Sequence, residues 1–201
     1  MIKADELKDG KKVVAIACST GGPKALQMLI PQIPANLNAP VLIVQHMPAG
    51  FTEALAGRLD TLSPLSVKEA ADGDVLMPGH AYLARGGRHM NVAKSGGKHV
   101  IRYTDLAPRE GVRPCANYMY ESLADCGYDE VVCVVLTGMG ADGTAGIKNL
   151  KEKKKVRVFA QDEGSCAVYG MPRSIVAAGL ADKGITLDQI VQEIIKNVGV
   201  T

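Results

Sequence analysis

The sequence predicts an α/β protein with a doubly wound, mostly parallel sheet and an antiparallel hairpin insertion. Apolar runs rich in valine and isoleucine alternate with segments of helical composition, and these runs end in loops that contain glycine. Strands buried on both faces give such continuous apolar runs, and they occur almost only in parallel sheets covered by helices. One middle region instead has short alternating segments broken by glycines, which is typical of antiparallel hairpins.

The first half of the chain supplies two strand–helix units. Residues 13–18 (VVAIAC) form the first predicted strand, and Pro23 suits the first turn of the helix that follows. Residues 40–45 (PVLIVQ) form the second strand, which delivers His46 at its C-terminal end. Residues 51–62 form the second predicted helix.

The middle of the chain has a different hydrophobic pattern. Residues 66–103 contain five short alternating segments, and residues 94–98 (KSGGK) have the composition of a hairpin turn. We therefore expect this whole region to form an antiparallel insertion beside the parallel sheet. Residues 105–113 are polar and are predicted to form a surface loop.

The second half returns to alternating strands and helices around its most apolar stretch, residues 131–143 (VVCVVLTGMGADG). This stretch reads as a buried strand followed by a tight glycine-rich turn. A further strand is predicted at residues 156–160. Helices are predicted at residues 114–126, 144–153, 172–179 and 188–198.

Length and composition restrict the function. The chain has 201 residues, of which 47% are hydrophobic and 22% are charged, so it suits one globular domain with a sizeable core. The formal net charge is only +2, the aromatic share is 4% and tryptophan is absent. These values argue against a nucleic-acid-binding protein, which would need a basic surface or stacking side chains.

The sequence also gives expectations about compartment and domain limits. No apolar run approaches the twenty residues of a membrane span, and the polar N-terminus has no signal-peptide core, so we expect no membrane insertion. The five cysteines are odd in number and form no C-x-x-C pair, which favours a reduced, cytoplasmic protein. We expect residues 1–12 to be a tail or linker remnant and residues 13–201 to be one domain.

The glycine-rich turn after the central strand has two interpretations. Gly138, Gly140 and Gly143 match a G-x-G-x-x-G dinucleotide fingerprint between a strand and a helix, and Asp162 lies 19 residues after the last glycine. Alternatively, Asp142 orients a catalytic histidine and the loop amides stabilise a developing negative charge. Against the first interpretation, a carboxylate inside the glycine loop would repel a pyrophosphate.

Three polar residues follow three predicted parallel strands: Ser19, His46 and Asp142. Because parallel strands end at one edge of a sheet, these side chains are expected to meet there. They supply a hydroxyl nucleophile, a general base and a carboxylate that orients the base. Taken singly, each residue also has an ordinary structural interpretation, as a helix cap or a strand-end side chain.

Other reactive residue types give weaker signals. His80, His89 and His99 occur in the hairpin region without the spacing of metal ligands, so we expect no metal site there. Cys18 adjoins Ser19, but a small apolar side chain that fills the end of a strand is the favoured interpretation.

Four separate motifs, matching in order and spacing over residues 13–195, resemble the catalytic domain of the chemotaxis protein-glutamate methylesterases, the CheB family. They are residues 19–23 (STGGP), 45–52 (QHMPAGFT), 136–143 (LTGMGADG), and the pair 160–163 (AQDE) and 169–172 (YGMP). The resemblance implies a doubly wound, mostly parallel sheet with an antiparallel hairpin, in agreement with the pattern of the sequence.

The resemblance implies roles for five residues. Ser19 would be the nucleophile, His46 the base and Asp142 its orienter, while the Met139 backbone amide would stabilise the oxyanion and Thr20 would support the histidine by hydrogen bonding. The implied reaction is demethylation of glutamate γ-methyl esters on cytoplasmic chemoreceptor helices with release of methanol, and the same chemistry allows glutamine deamidation. No metal or cofactor is needed.

The chain departs from the family pattern in two places. Family members usually carry an N-terminal phosphorylatable receiver domain, whereas only twelve residues, most of them polar, precede the first predicted strand here. Arg85 stands where the family pattern has proline. A scaffold that kept the fold and lost catalysis is a further alternative, but all three residues of the catalytic set are present.

Overall fold

The computed structural model describes residues 11–201, so most of the predicted tail at residues 1–12 lies outside the described residues. Lys12 already belongs to the first strand. The strands are β1 (Lys12–Cys18), β2 (Val41–Gln45), β3 (Ser66–Glu69), β4 (His80–Leu83), β5 (His89–Ser95), β6 (Lys98–Thr104), β7 (Glu130–Val135), β8 (Lys155–Gln161) and β9 (Lys183–Ile185). The helices are α1 (Gly22–Leu29), α2 (Phe51–Leu62), α3 (Ala116–Leu123), α4 (Thr144–Lys153), α5 (Met171–Ala177) and α6 (Leu187–Val198).

Seven strands form one parallel sheet in the order β3-β4-β2-β1-β7-β8-β9. The chain builds outwards from β1 to one side through β2, and later returns to the other side of β1 through β7. This reversal makes the gap between β1 and β7 the topological switch point, where open α/β sheets bind their ligands. The predicted doubly wound fold is confirmed.

Helices cover both faces of the sheet. Alternate residues of β1 point to opposite faces: Val14 and Ile16 pack in a cluster with α1, α2 and α6, whereas Ala15 and Ala17 pack with α3, α4, α5 and the β5–β6 pair. Because both faces of the sheet are packed against apolar side chains, the central strands need apolar residues at every position, and their sequences are continuous apolar runs. No helix within residues 11–201 is long and apolar enough to cross a membrane.

The predicted antiparallel insertion is correct for part of its length only. β5 and β6 pair antiparallel as a separate two-stranded sheet around the turn at residues 96–97. β3 and β4, however, are parallel strands of the main sheet, so the prediction was wrong for residues 66–83. The alternation in β3 has another cause: the strand lies at the sheet edge and exposes every second side chain.

The edge strand β9 was not predicted. It has only three residues, Lys-Gly-Ile, of which Lys183 and Gly184 are exposed. Such a strand carries no apolar run, because it is stabilised by pairing with β8 rather than by burial.

Candidate active site

The three predicted residues, Ser19, His46 and Asp142, lie at the C-terminal edge of the sheet. Ser19 follows β1 and its N–H donates to the Thr137 carbonyl after β7, over 3.0 Å. His46 follows β2 and its N–H donates to the Cys18 carbonyl, over 3.1 Å. The ends of β2, β1 and β7 are thus joined by backbone hydrogen bonds at the switch point.

His46 and Asp142 form the closest polar contact of the site. His46 Nε2 lies 2.6 Å from Asp142 Oδ2, and the two side chains are 10% and 3% exposed. With the acid ionised, Nε2 donates to it, which fixes the neutral ring as the Nε2–H tautomer. Nδ1 then holds the lone pair that can accept a proton.

Asp142 lies against the N-terminus of α3. Its Oδ2 accepts from the Ala116 N–H over 2.7 Å, and its Oδ1 accepts from the Asn117 N–H over 2.9 Å. Burial alone would raise the pKa of Asp142, but hydrogen bonds from His46, Cys115 and Ala116 outweigh it and hold the pKa below its ordinary value. The first-turn amides of a helix favour an anion, so α3 helps to keep this carboxylate charged.

Cys115 supplies the fourth donor to Asp142. Its thiol donates to Oδ1 over 3.0 Å. Burial, with the charge of Asp142 beside it, raises the pKa of Cys115 to about 12, so the sulfur keeps the proton that it donates. The carboxylate therefore accepts from one ring nitrogen, two amides and one thiol.

The side chain of Asn117 likewise accepts hydrogen bonds from backbone N–H groups at the N-terminus of α4. Its Oδ1 accepts from the Gly143 and Gly146 N–H groups over 2.9 and 2.8 Å. A dinucleotide pyrophosphate would need these same donors. In addition, the buried negative charge of Asp142, directly before them in the chain, would repel a phosphate. Asp162, the acid that the fingerprint required, instead accepts from the Ser165 hydroxyl. The geometry leaves no phosphate site in this loop, and the dinucleotide interpretation is rejected.

Ser19 is held against the loop that follows β7. A Cβ added to Gly138 would lie 2.7 Å from the Ser19 Cβ and 2.5 Å from the Met171 sulfur, so only glycine fits there. Gly138 is fixed in turn, since its carbonyl accepts from the Gly170 and Met171 N–H groups. The Ser19 hydroxyl itself forms no hydrogen bond with any residue in the range 11–201.

Gln45 links the segments that contain Ser19 and His46, and the sequence predicted no role for it. Its buried amide donates to the carbonyls of both Ser19 and His46, over 3.0 and 3.1 Å, and accepts from the Cys18 thiol. The sequence feature that could have indicated this role is a polar residue at the end of an apolar strand, directly before the histidine. Cys115 and Asn117 were also missed, because nothing in the local sequence connects them to Asp142.

Thr20 and Met139 lie on the exposed side of the site. The Thr20 carbonyl accepts from the Thr137 hydroxyl over 2.9 Å, while the Thr20 side chain has no hydrogen bond within the described chain. Met139 is 73% exposed, and its backbone N–H likewise has no acceptor among the described residues. The supporting role of Thr20 and the oxyanion role of Met139 remain predictions.

Residues 105–113, which we call the strap, pass beside His46. Glu110 and Val112 line a cleft of about 290 Å³ together with His46, Met139 and Asp142. Val112 and Arg113 line a second cleft, of about 280 Å³, with His46, Met47 and Pro48. The polar surface loop expected from the sequence is thus a wall of the site.

Arg85, at the position where proline was expected, donates its backbone N–H to the Tyr103 hydroxyl over 2.8 Å. The adjacent Gly86 N–H donates to the buried Thr52 hydroxyl over 3.0 Å. Gly86 also lies against the Pro48 backbone, just after His46. The altered loop therefore still supports the histidine segment.

The remaining residues singled out by the sequence have structural contacts. Cys18 is fully buried, which raises its pKa, as expected for a side chain that fills the end of a strand. The three hairpin-region histidines bind different backbone groups, of Pro78, of Ala107 and Cys115, and of Gly127. No group of three or more His, Cys, Asp or Glu side chains within residues 11–201 could hold a metal ion.

Comparisons with known proteins identify the family of this chain. The model of the family described as CheB methylesterase matches residues 14–194. A protein-glutamate methylesterase/protein-glutamine glutaminase of Geobacillus kaustophilus is 46% identical over 187 residues, covering 93% of this chain and 54% of that protein. One from Pseudomonas fluorescens Pf-5 is 49% identical over 185 residues, covering 92% of this chain and 48% of that protein.

Among solved structures, the Thermotoga maritima CheB methylesterase catalytic domain matches with a TM-score of 0.89 and 40% identity. The match covers 92% of this chain and 98% of that one. The chain spans about half the length of the curated relatives it matches. The similarity covers nearly all of this chain in sequence and in structure, and the chain belongs to the CheB methylesterase family.

Proposed function

We propose that this chain is a serine hydrolase that removes methyl groups from glutamate γ-methyl esters on chemoreceptors and releases methanol. The observation that carries the proposal is the buried His46–Asp142 pair beside Ser19, at the switch point of the sheet. Family membership and the names of the full-length relatives support the choice of substrate. The role would lie in adaptation during bacterial chemotaxis.

In the first half of the reaction, the Ser19 hydroxyl attacks the ester carbonyl while His46 Nδ1 takes its proton. Asp142 stabilises the imidazolium that forms, because its carboxylate already accepts from Nε2. Nδ1 then returns the proton to the leaving methoxide, and methanol departs. Catalytic hydrogen bonds are often incomplete before substrate binds, so an unbonded Ser19 hydroxyl fits this role.

In the second half, water attacks the acyl-enzyme with His46 again as the base, and glutamate is released. Each tetrahedral intermediate carries a negative oxygen that needs donors in place before the reaction. The Met139 N–H is the proposed donor, since it borders the same cleft as His46 and has no acceptor within residues 11–201. Thr20, adjacent to the nucleophile, is the proposed supporting residue.

The same steps on a glutamine side chain would release ammonia and leave glutamate. The names of the relatives pair both activities, so we include protein-glutamine deamidation in the proposal. The proposed partners are the cytoplasmic helices of methylated chemoreceptors, with a receiver domain as a further candidate. A cytoplasmic location follows from these partners.

The test is methanol release from methylated receptor membranes, with the native chain compared with Ser19→Ala. Loss of the nucleophile is expected to reduce the rate by several orders of magnitude. Cys166→Ser is a matched control, since it changes a half-buried side chain outside the catalytic set. Equal methanol release from the native chain and Ser19→Ala would show that Ser19 is structural and would refute the mechanism.

A further inference from the structure

The tip of the strap has an unusual backbone. Arg109 and Val112 exchange two backbone hydrogen bonds, of 3.2 and 3.1 Å, around a two-residue turn. Glu110 has φ 53° and Gly111 has φ 75°, the left-handed conformation that such turns require at both positions. Glycine, asparagine and aspartate are the usual residues there, and a glutamate is uncommon. A strained residue beside a reactive centre is a reason to look for a function.

The base of the strap fixes this tip in place. Arg109 donates to both oxygens of Glu121 on α3, over 2.8 Å each, and its guanidinium covers the Tyr118 ring at 5.0 Å. His89, which is fully buried, contacts the Ala107 carbonyl over 3.1 Å. Glu110 is therefore presented by an anchored turn, and its position relative to His46 is set by the fold.

Glu110 is the charged side chain of the strap that borders the cleft containing His46, Asp142 and Met139. Among residues 11–201 it has no ion pair and no hydrogen bond. Arg113, at the other end of the same turn, borders the separate cleft beside Met47 and Pro48. The strap thus places a negative charge at the first of these clefts and a positive charge at the second.

We propose that Glu110 is a specificity-determining residue that disfavours a carboxylate in the cleft and so distinguishes the neutral substrate from its product. This inference rests on the proposed function, in which an uncharged ester or amide becomes a glutamate anion. Repulsion between Glu110 and that anion promotes product release and limits rebinding of receptors that are already demethylated. Two like charges a few ångströms apart in water repel enough to change affinity by about three- to fivefold at low ionic strength.

The experiment measures binding in a Ser19→Ala background, so that no turnover occurs. Receptor membranes that carry glutamine at the modification positions stand for the neutral form, and membranes with glutamate there stand for the product. Dissociation constants are measured by co-sedimentation at low and high ionic strength. The expected result is that the glutamine form binds about three- to fivefold more tightly at low ionic strength, and that Glu110→Gln or high salt reduces this ratio to about one.

Two variants serve as controls. Glu110→Asp keeps the charge and is expected to keep the preference, while Arg113→Gln removes a charge from the other cleft and is also expected to keep it. A preference that persists in Glu110→Gln, or that Arg113→Gln abolishes equally, would overturn the proposal. The proposal would also be overturned if neither kind of membrane bound measurably while the native chain released methanol. Any preference for the neutral substrate over the product would then arise in a step after binding. Absence of methanol release would refute the proposed function alone, since the affinity ratio is measured independently.

Discussion

The two sides of the catalytic edge differ in how their polar groups are used. On one side, Asp142 is buried and accepts hydrogen bonds from His46, Cys115, Ala116 and Asn117. On the other side, the hydroxyl of Ser19 and the N–H of Met139 have no partners within residues 11–201. The polar groups of the first side are already paired, whereas the second side has groups available for the proposed ester substrate. The contrast teaches that the hydrogen bonds formed in advance are concentrated on Asp142, the carboxylate that is proposed to orient the base.

The largest effect is expected from breaking the completed side with Asp142→Asn. The amide nitrogen of asparagine is itself a hydrogen-bond donor, so it would face the donors that surround Asp142 without accepting from them. The neutral amide could also no longer stabilise a positive His46. We expect methanol release to fall by about 10³- to 10⁴-fold, and the free energy of unfolding to fall by about 1–3 kcal/mol because a buried donor loses its acceptor. Steady-state kinetics and urea unfolding measure the two effects.

Asp162→Asn is the matched control, because Asp162 also follows a strand at this edge, while its carboxylate accepts from Ser165 of its own loop and its backbone N–H, which the variant keeps, donates to the Ile185 carbonyl. It is expected to leave the rate within about twofold. Comparable losses in the two variants would mean that Asp142 has no special place in the site.

A smaller effect is expected from Gly138→Ala, which tests the open side. The new methyl group would overlap the Ser19 Cβ and the Met171 sulfur, so either the nucleophile or the loop must shift. A displacement of this size is expected to lower the rate by about 10- to 100-fold, and overpacking is expected to cost about 1–3 kcal/mol in the free energy of unfolding. Methanol release and thermal unfolding are the measurements.

Gly57→Ala in α2 provides the comparison, since a methyl group there meets no atom within 4 Å. It is expected to leave activity unchanged and to raise stability slightly, as alanine favours helix over glycine. If Gly138→Ala behaved in the same way, Ser19 would tolerate displacement and the close packing would have no catalytic meaning.

The smallest expected effect concerns acid stability. The folded pKa of Asp142 is below its unfolded value, so its contribution is present above the unfolded pKa of about 3.9 and is lost as pH falls through the folded value. Urea unfolding is therefore expected to show a decline in stability below about pH 4 that is shallower in Asp142→Asn. Identical pH profiles for the two proteins would contradict the hydrogen-bonding account of the depressed pKa.

The sequence predicted the parts of this contrast that depend on strand order. Ser19, His46 and Asp142 each follow an apolar run, and parallel strands bring such positions to one edge. Cys115 and Asn117 could not be predicted, because they reach Asp142 only when α3 packs beside α4. The wrong prediction for β3 and β4 has a similar origin, since partial exposure at a sheet edge imitates the alternation of a hairpin.

The mutual capping of α3 and α4 has a consequence for folding. Asp142, before α4, binds the first amides of α3, and Asn117, within α3, binds the first amides of α4. Neither helix start is complete without the other, so we expect the two helices to gain protection from hydrogen exchange together, as one cooperative unit. Any opening of that unit releases the acid that orients His46. If His46 and Asp142 act as proposed, activity depends on the closure of a helix pair whose members are joined by β7, the strand next to β1 in the sheet.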